Sequence, residues 1–388
     1  MNLNAINNIS TEYGTPFYLF DIDFMTEWVN ELKDVFNSRV NLCYAIKANP
    51  FLLPYMNRHL NHFEVCSPGE YKICLKYGIP SEKIILSGVY KSKENIEEAF
   101  DNDFSGVITL ESPNHFKLLK EVISERGINN VTVLPRLTSG NKFGMCRDDI
   151  ISIIKECNKL NISVKGVQYF SGTQKKRFSV YEKELAELDA FCNEIEKVTG
   201  TKVNYIEYGP GLFFEYYEKK DQSEVAKEFS KILSAYTDKY EFTLEIGRYL
   251  SASCGSFITS LVDIKHSDDK HYCLVDGGIH HVNYYGRMLG MNVPDVLHVR
   301  DGLVQDSNDE TLYEVGGALC TVNDVLLRNH PLNNPKEGDI LIFNNTGAYS
   351  CMESPVLFLS RQMPRIFALN EGKVTMLRDV IESFEFNS

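Results

Sequence analysis

The sequence lacks any apolar run long enough to cross a bilayer. Its opening residues, MNLNAINNIS, have neither the basic head nor the hydrophobic stretch of a secretory signal. A cytoplasmic protein is expected. Clustered positive charge is lacking as well: 40 Lys and Arg face 53 Asp and Glu, a formal charge of −13 and a pI near 5.3. That sign opposes nucleic-acid phosphates and anionic lipid headgroups, so neither partner is expected. The ten cysteines (43, 66, 74, 146, 157, 192, 254, 273, 320 and 351) form no CxxC pair and no Cys/His group at metal-ligand spacing. A disulfide framework and a metal site are therefore not expected, and most of the thiols should be small buried hydrophobes in a reducing compartment. Nor does the composition suggest disorder, with 43% hydrophobic and 24% charged residues.

What is present is a chain of 388 residues, longer than one hydrophobic core usually supports, so two domains are expected. Between residues 40 and 247, β-branched runs alternate with helical patterns. Strands are expected at VNLCYAIK (40–47), HFEVC (62–66), KIILSG (83–88), GVITLE (106–111), VTVLPRL (131–137), VKGVQYF (164–170), NYIEYG (204–209) and FTLEIG (242–247). Ser67-Pro68-Gly69-Glu70 carries a capping serine, a proline for the first helical position and a glutamate three residues on, and Gly78 can end that helix. Ser112-Pro113 opens another, with Phe116, Leu119 and Ile123 as its apolar stripe. Eight strand–helix units in series predict a closed parallel (β/α)8 barrel, with an open doubly wound sheet as the alternative. After about residue 250 the texture turns to short strands and turn signals, and FYLFD (17–21) reads as a further strand able to join them. The expected division is a barrel over 25–250, and a sandwich or Greek-key-like β domain from 1–24 and 251–388.

Active groups of such barrels project from the C-terminal strand ends. There the sequence puts Lys47, Arg136, Phe170-Ser171-Gly172-Thr173, Gly209-Pro210-Gly211 and Glu245-Ile246-Gly247-Arg248. Lys47 closes the apolar run Tyr44-Ala45-Ile46, just before Ala-Asn-Pro. The loops after strands seven and eight are the usual phosphate seat of this fold, where Gly209 and Gly211 let backbone amides approach an anion and Arg248 adds charge. A lysine in an oily setting with a phosphate seat across the barrel suits a Schiff base to pyridoxal 5′-phosphate (PLP). An oily setting also favours the neutral amine that imine formation needs.

Assembled in order, TPFYLFD, YAIKANP, FEVCSPGE, ILSGVYKS, NKFGM, GTQ, EIGR, VDGG, GALCTVND and TGAY resemble the motifs of the fold-type III PLP decarboxylases, the diaminopimelate/ornithine/arginine decarboxylase family. The resemblance implies an alanine racemase/ornithine decarboxylase-like fold and a homodimer with active sites at the interface. It implies that Lys47 carries PLP, that Glu64 lies beside Lys47 and the ring, that Glu245 faces the pyridine nitrogen, and that Phe170 stacks on the ring. Gly209, Gly211, Thr173, Gly247, Arg248 and Tyr349 would surround the phosphate. Cys320, in the segment matching GPxCxxxD, would protonate the substrate α-carbon across the dimer interface, and Asp324, which ends that segment, would contact the substrate. The implied reaction is α-decarboxylation of an amino acid or amino-acid conjugate through the external aldimine and quinonoid of this family.

Glu245 decides the reaction type. At an effective dielectric near 20, a carboxylate about 4 Å from the ring nitrogen favours its protonated form by about 4 kcal/mol, roughly a thousandfold. A protonated ring accepts the electron pair left by CO2, whereas the similar racemases place arginine there. Three departures stand out. Phe170 replaces the usual histidine, Pro210 removes an amide from a glycine triplet, and Thr321 follows Cys320 where relatives carry an acid that reads the far amine of the substrate. Threonine offers no counter-ion, so specificity is expected to have moved. The segments VDGGIHHVNYYGRM and GAYSCMESPVLFLS look closer to a branch used in antibiotic and siderophore pathways, some of whose members act on carrier-tethered substrates. Arg287 would then contact a substrate or carrier anion. Diaminopimelate decarboxylation, racemisation and a non-catalytic regulatory homologue are the alternatives. His280 and His281 are read as consecutive strand residues facing opposite sides, with local hydrogen bonds only, and helix 180–198 as charged along a solvated face.

Overall fold

A computed structural model describes residues 2–37, 39–268, 270–286, 290–305 and 311–388. The chain divides into two compact units, Val29–Phe214 with Asp221–Tyr249, and Met1–Trp28 with Glu215–Lys220 and Leu250–Ser388.

In the first unit, eight strands run Val40–Ala45, His62–Val65, Ile84–Leu86, Val107–Leu110, Thr132–Leu137, Val167–Phe170, Tyr205–Gly209 and Glu241–Ile246. Each is parallel to the next, and the eighth pairs with the first through Glu245↔Cys43, so the barrel is closed. Closure leaves no open strand edge, and the open-sheet alternative falls away. One interior cluster is apolar: Cys43, Ile85, Val107, Leu134 and Tyr205. Two residues further along four of these strands or their ends come Ser87, Thr109, Arg136 and Glu207, all buried. Since residues two apart in a strand share a face, the interior changes from hydrocarbon to polar groups along the strands.

Helix starts follow local chemistry. Ser67 accepts from Glu70 N, and the Glu70 carboxylate turns back to accept from Cys66 N at 2.6 Å. Ser112 accepts from His115 N, and Gly127 (φ +64) ends that helix. The buried stripe there is Phe116, Leu119 and Val122, with Ile123 half-buried at its margin. The 22-residue helix Phe178–Thr199 departs from expectation at one acid: Glu184 lies on its buried face, beside Tyr181, Leu185 and Leu188.

The second unit is built on one ten-stranded mixed sheet. Its longest strand, Gly255–Ser267, pairs on one stretch with Phe17–Asp21 and Ile340–Asn344, and on the next, past a bulge at Leu261/Asp263, with Lys270–Val275. FYLFD thus joins this sheet, and its other neighbour is the parallel strand Arg365–Asn370. The structure adds a helix, Leu3–Tyr13, capped by Asn2 accepting from Ala5 N. Its Ala5, Ile6 and Ile9 cover Phe17, Leu19, Ile258, Ile342 and Phe367. The histidine doublet lies in a turn, not a strand, so the two rings sit 3.7 Å apart instead of facing opposite sides. Both are buried. Burial holds them below the usual imidazole range, His280 at about 3 and His281 at about 4. His281 Nε2 meets Gln362 O at 2.8 Å. No helix among the described residues is long and apolar enough to cross a membrane.

Phe367 is 1% exposed under that helix. Phe367→Ala removes a ring from a site with little room to collapse and should cost about 3–5 kcal/mol, read as a lowered urea midpoint of the transition that reports this sheet.

Candidate active site

The first barrel strand ends at Ala45, and the short turn Ile46–Ala48 carries Lys47 at its C-terminal mouth. The approach is oily, with Tyr44, Ala45 and Ile46 at most 2% exposed. The amine itself meets something else. Lys47 Nζ lies 2.5 Å from Glu64 Oε2, 3.4 Å from Glu245 Oε1 and 3.5 Å from Cys66 Sγ. The oily pocket expected around the nitrogen is thus a carboxylate pair. The reason is register: Glu64 sits opposite Ala45 and Glu245 opposite Cys43, so the strands flanking the first one turn both acids inward at its end.

The two acids titrate in opposite directions. Burial alone would raise Glu64, but the Lys47 ammonium and hydrogen bonds from its neighbours outweigh it and hold the carboxyl at about 2. For Glu245, burial comes first and the Glu64 charge adds to it, pushing the carboxyl up to about 8 against the pull of Lys47. The resulting site places one firm anion and one proton-exchanging acid against a single amine.

Around them the barrel mouth is polar and ordered. Gln168 Nε2 lies 2.9 Å from Glu207 Oε1, 3.4 Å from Glu245 Oε2 and 3.4 Å from Ser87 Oγ, and Ser87 meets Thr109 at 3.0 Å. Arg136 pairs with Glu111 at 3.1 Å, both buried, and its guanidinium lies 5.9 Å from the Phe170 ring centroid. Lys91 is buried with Nζ 2.7 Å from Gly88 O, and burial pulls its pKa down to about 8. Sequence reasoning missed Gln168, Glu207, Glu111 and Lys91 as members of this group. For Gln168 and Glu207 the available signal was a polar residue on the inward parity of an otherwise apolar strand.

A cradle forms beside the seventh strand. Gly211 has φ +59, and a Cβ there would stand 2.0 Å from Gly172 O; at Gly209 it would stand 2.5 Å from the Phe170 ring. The loops after strands six and seven are also laced together. Gln174 donates to Phe214 O and accepts from Phe214 N, and Lys175 N donates to Gly211 O. Glu184 anchors the same loop, accepting from Ser171 Oγ at 2.5 Å, from Lys175 Nζ at 2.7 Å and from Tyr208 OH. Thr173 is exposed on this loop, Gly247 follows the eighth strand, and Arg248 is buried with 8% exposure.

The other expected residues belong to the sheet unit. Cys320 is exposed and Thr321 half-buried beside it. Asp324 is buried, its Oδ1 accepting from Ile279 N and its Oδ2 from Leu319 N, at 2.8 and 2.7 Å. Those bonds give Asp324 a part in closing the loop that carries Cys320. Tyr349 has φ +64, a left-handed conformation uncommon outside glycine. Arg287 lies outside the described residues.

Residues 23–252 match the family model of the pyridoxal-dependent decarboxylase, pyridoxal binding domain. The chain belongs to this family of pyridoxal-dependent decarboxylases. The residues present fit the cofactor: an amine between acids at the barrel mouth, and a glycine cradle too tight for a Cβ. The family's enzyme class is thus that expected from the motifs, a PLP-dependent amino-acid decarboxylase. Among similar proteins, diaminopimelate decarboxylase of Campylobacter jejuni is 28% identical, with 97% of this chain and 96% of that protein covered. L-glutamyl-[BtrI acyl-carrier protein] decarboxylase of Niallia circulans is 26% identical over 97% and 94%. The fold is shared with diaminopimelate decarboxylase of M. jannaschii (TM-score 0.85, 23% identity, 97% and 92% covered). It is shared also with lysine/ornithine decarboxylase of Vibrio vulnificus (TM-score 0.81, 20% identity, 95% and 98% covered).

A carboxyl raised to about 8 keeps its proton in the folded state while the unfolded chain releases it near the ordinary 4.5. The fold binds more protons than the unfolded chain across that window, so stability falls as pH rises from about 4.5 to 8. Glu245→Gln removes this contribution. In cofactor-free protein, the melting temperature of the variant relative to the parent should climb between pH 5 and 8, read by thermal denaturation at matched ionic strength.

Proposed function

We propose that this decarboxylase removes the α-carboxyl group from an amino acid held as a conjugate, with a carrier-tethered aminoacyl group as the leading class. The observation that carries the decarboxylase chemistry is Lys47 Nζ within 2.5 Å of Glu64 and 3.4 Å of Glu245. The observation that moves the substrate away from a free diamino acid is Thr321 beside Cys320, an uncharged side chain that offers a distal ammonium no counter-ion of its own. The glutamyl-carrier relative, at nearly the same identity as the diaminopimelate relative, supports that class.

In this reading, PLP supplies an electron sink for the pair left behind when CO2 departs. Lys47 Nζ would hold the cofactor covalently. Glu245 would face the ring nitrogen and favour its protonated form, while Glu64 would stay anionic beside Lys47. Phe170 would cover a face of the ring. Backbone groups at Gly209, Gly211 and Gly247, with Thr173, Arg248 and Tyr349, orient the phosphate. Arg287 and Thr321 would contact the substrate, and Asp324, expected to contact it too, braces the loop that carries Cys320 by accepting from Ile279 N and Leu319 N. Cys320 Sγ delivers a proton to the α-carbon of the partner subunit's substrate. The chain then works as a homodimer, which suits the exposure of Cys320, of Val322 at 90%, and of Leu357, Phe358, Leu359, Phe384 and Phe386. A reducing cytoplasm suits the ten free thiols.

Lys47→Ala should abolish CO2 release and the visible absorbance of lysine-bound cofactor together; amine product formed at an unchanged rate refutes the assignment. Mixing Lys47→Ala and Cys320→Ala subunits, each inactive alone, should restore about a quarter of parent activity if each site in a two-fold dimer draws on both chains. A mixture as dead as its components refutes the shared site. Mass spectrometry for loss of 44 daltons, over diamino acids, acidic amino acids and carrier-bound aminoacyl groups, identifies the substrate. Turnover of free diaminopimelate alone would replace the conjugate reading by lysine synthesis.

A further inference from the structure

Three carboxyls converge near one amine at the top of this barrel: Glu64, Glu245 and Glu207, the last fully buried in the seventh strand. Glu64 and Glu245 reach Lys47. Glu207 is bonded instead to Gln168. Gln168, also fully buried, spreads its amide nitrogen between Glu207 Oε1 at 2.9 Å, Glu245 Oε2 at 3.4 Å and Ser87 Oγ at 3.4 Å. The two oxygens of Glu245 are thereby divided, Oε1 toward Lys47 and Oε2 toward Gln168.

Resting on the Glu245 role above, we propose that Gln168 is a positioning residue that fixes which oxygen of Glu245 faces the cofactor, and that Glu207 holds Gln168 in that pose. A glutamine amide can present either its oxygen or its nitrogen, and only the nitrogen suits a carboxylate. Here the nitrogen is the group within reach of Glu207, Glu245 and Ser87. The amide oxygen, Gln168 Oε1, is correspondingly the atom left without a protein partner.

Burial and a second oxygen without a partner favour the neutral form of Glu207. Its second oxygen, Oε2, is buried and has no partner, a costly place for a charge. Facing it are Gln168 from the sixth strand, Glu245 from the eighth, Glu64 from the second, Cys43 from the first, Tyr205 from its own strand, and Lys165. Burial first, then the charges of Glu245 and Glu64, push the Glu207 carboxyl well above the usual range, and the Lys165 ammonium does not reverse this. A neutral Glu207 accepts from Gln168 through its carbonyl oxygen and adds no further negative charge beside Glu245.

Two measurements test this. PLP affinity, read by quenching of intrinsic fluorescence, should weaken about tenfold in Gln168→Leu and in Glu207→Leu, which each delete one side of the clamp. Glu207→Gln, the uncharged isostere, should stay within about threefold of the parent. Equal weakening in Glu207→Gln and Glu207→Leu overturns the neutral-acid role, and parent-like affinity in Gln168→Leu overturns the clamp. The second measurement needs no cofactor. Gln168→Leu withdraws a donor from Glu245, so the loss of melting temperature with rising pH should extend above the parent's limit near pH 8. Superimposable curves overturn the proposal. A parent that binds no PLP at all contradicts the cofactor reading, and the melting curves still report on the clamp.

Discussion

One ammonium group set against two inward-turned carboxylates at a closed barrel's mouth governs the rest of this site. Neither acid could stay ionised there alone, because an isolated buried carboxylate costs several kcal/mol. Lys47 stabilises Glu64 outright and Glu245 only in part, which is why the first carboxyl is driven to about 2 and the second rises to about 8. That inequality suits a division of labour. One group is held as an anion, and the other is close enough to neutrality to share a proton with a basic nitrogen.

Barrel closure makes this arrangement possible. Side chains from strands one, two and eight converge because register across the closing pair sets Glu245 opposite Cys43, and the next pair sets Ala45 opposite Glu64. An open sheet would have separated the first and last strands and left the acids on different edges. The apolar cluster of Cys43, Ile85, Val107, Leu134 and Tyr205 plugs the barrel on the side where the strands begin. Water is thereby excluded beneath the polar groups, which strengthens their mutual electrostatics.

The eight strands and the placement of FYLFD were legible because their cues are local: β-branched runs, capping serines, and a proline at a first helical position. Lys47 and Glu245 were legible because unusual residues at strand ends stand out against the pattern. What escaped notice was polar chemistry inside regular elements. Gln168 and Glu207 sit in strands, and Glu184 in a helix, whose hydrophobic spacing reads as ordinary, and nothing short of the fold shows that the first two meet Glu245. The environment of the lysine nitrogen was misread for the same reason, since its oily neighbours are sequence neighbours and its carboxylates are not. The helix Leu3–Tyr13 was passed over because eleven residues with three buried side chains give little periodic signal until the sheet they cover is known.

The strand Phe17–Asp21 lies between Gly255–Ser267 and Arg365–Asn370, so a segment made before the barrel finds its partners only after some 240 to 350 further residues have emerged. During that interval its apolar face has no sheet to join, whereas every barrel strand meets its chain-order neighbour within a few dozen residues. Order of synthesis thus favours a finished barrel waiting on a sheet whose first strand was made before it.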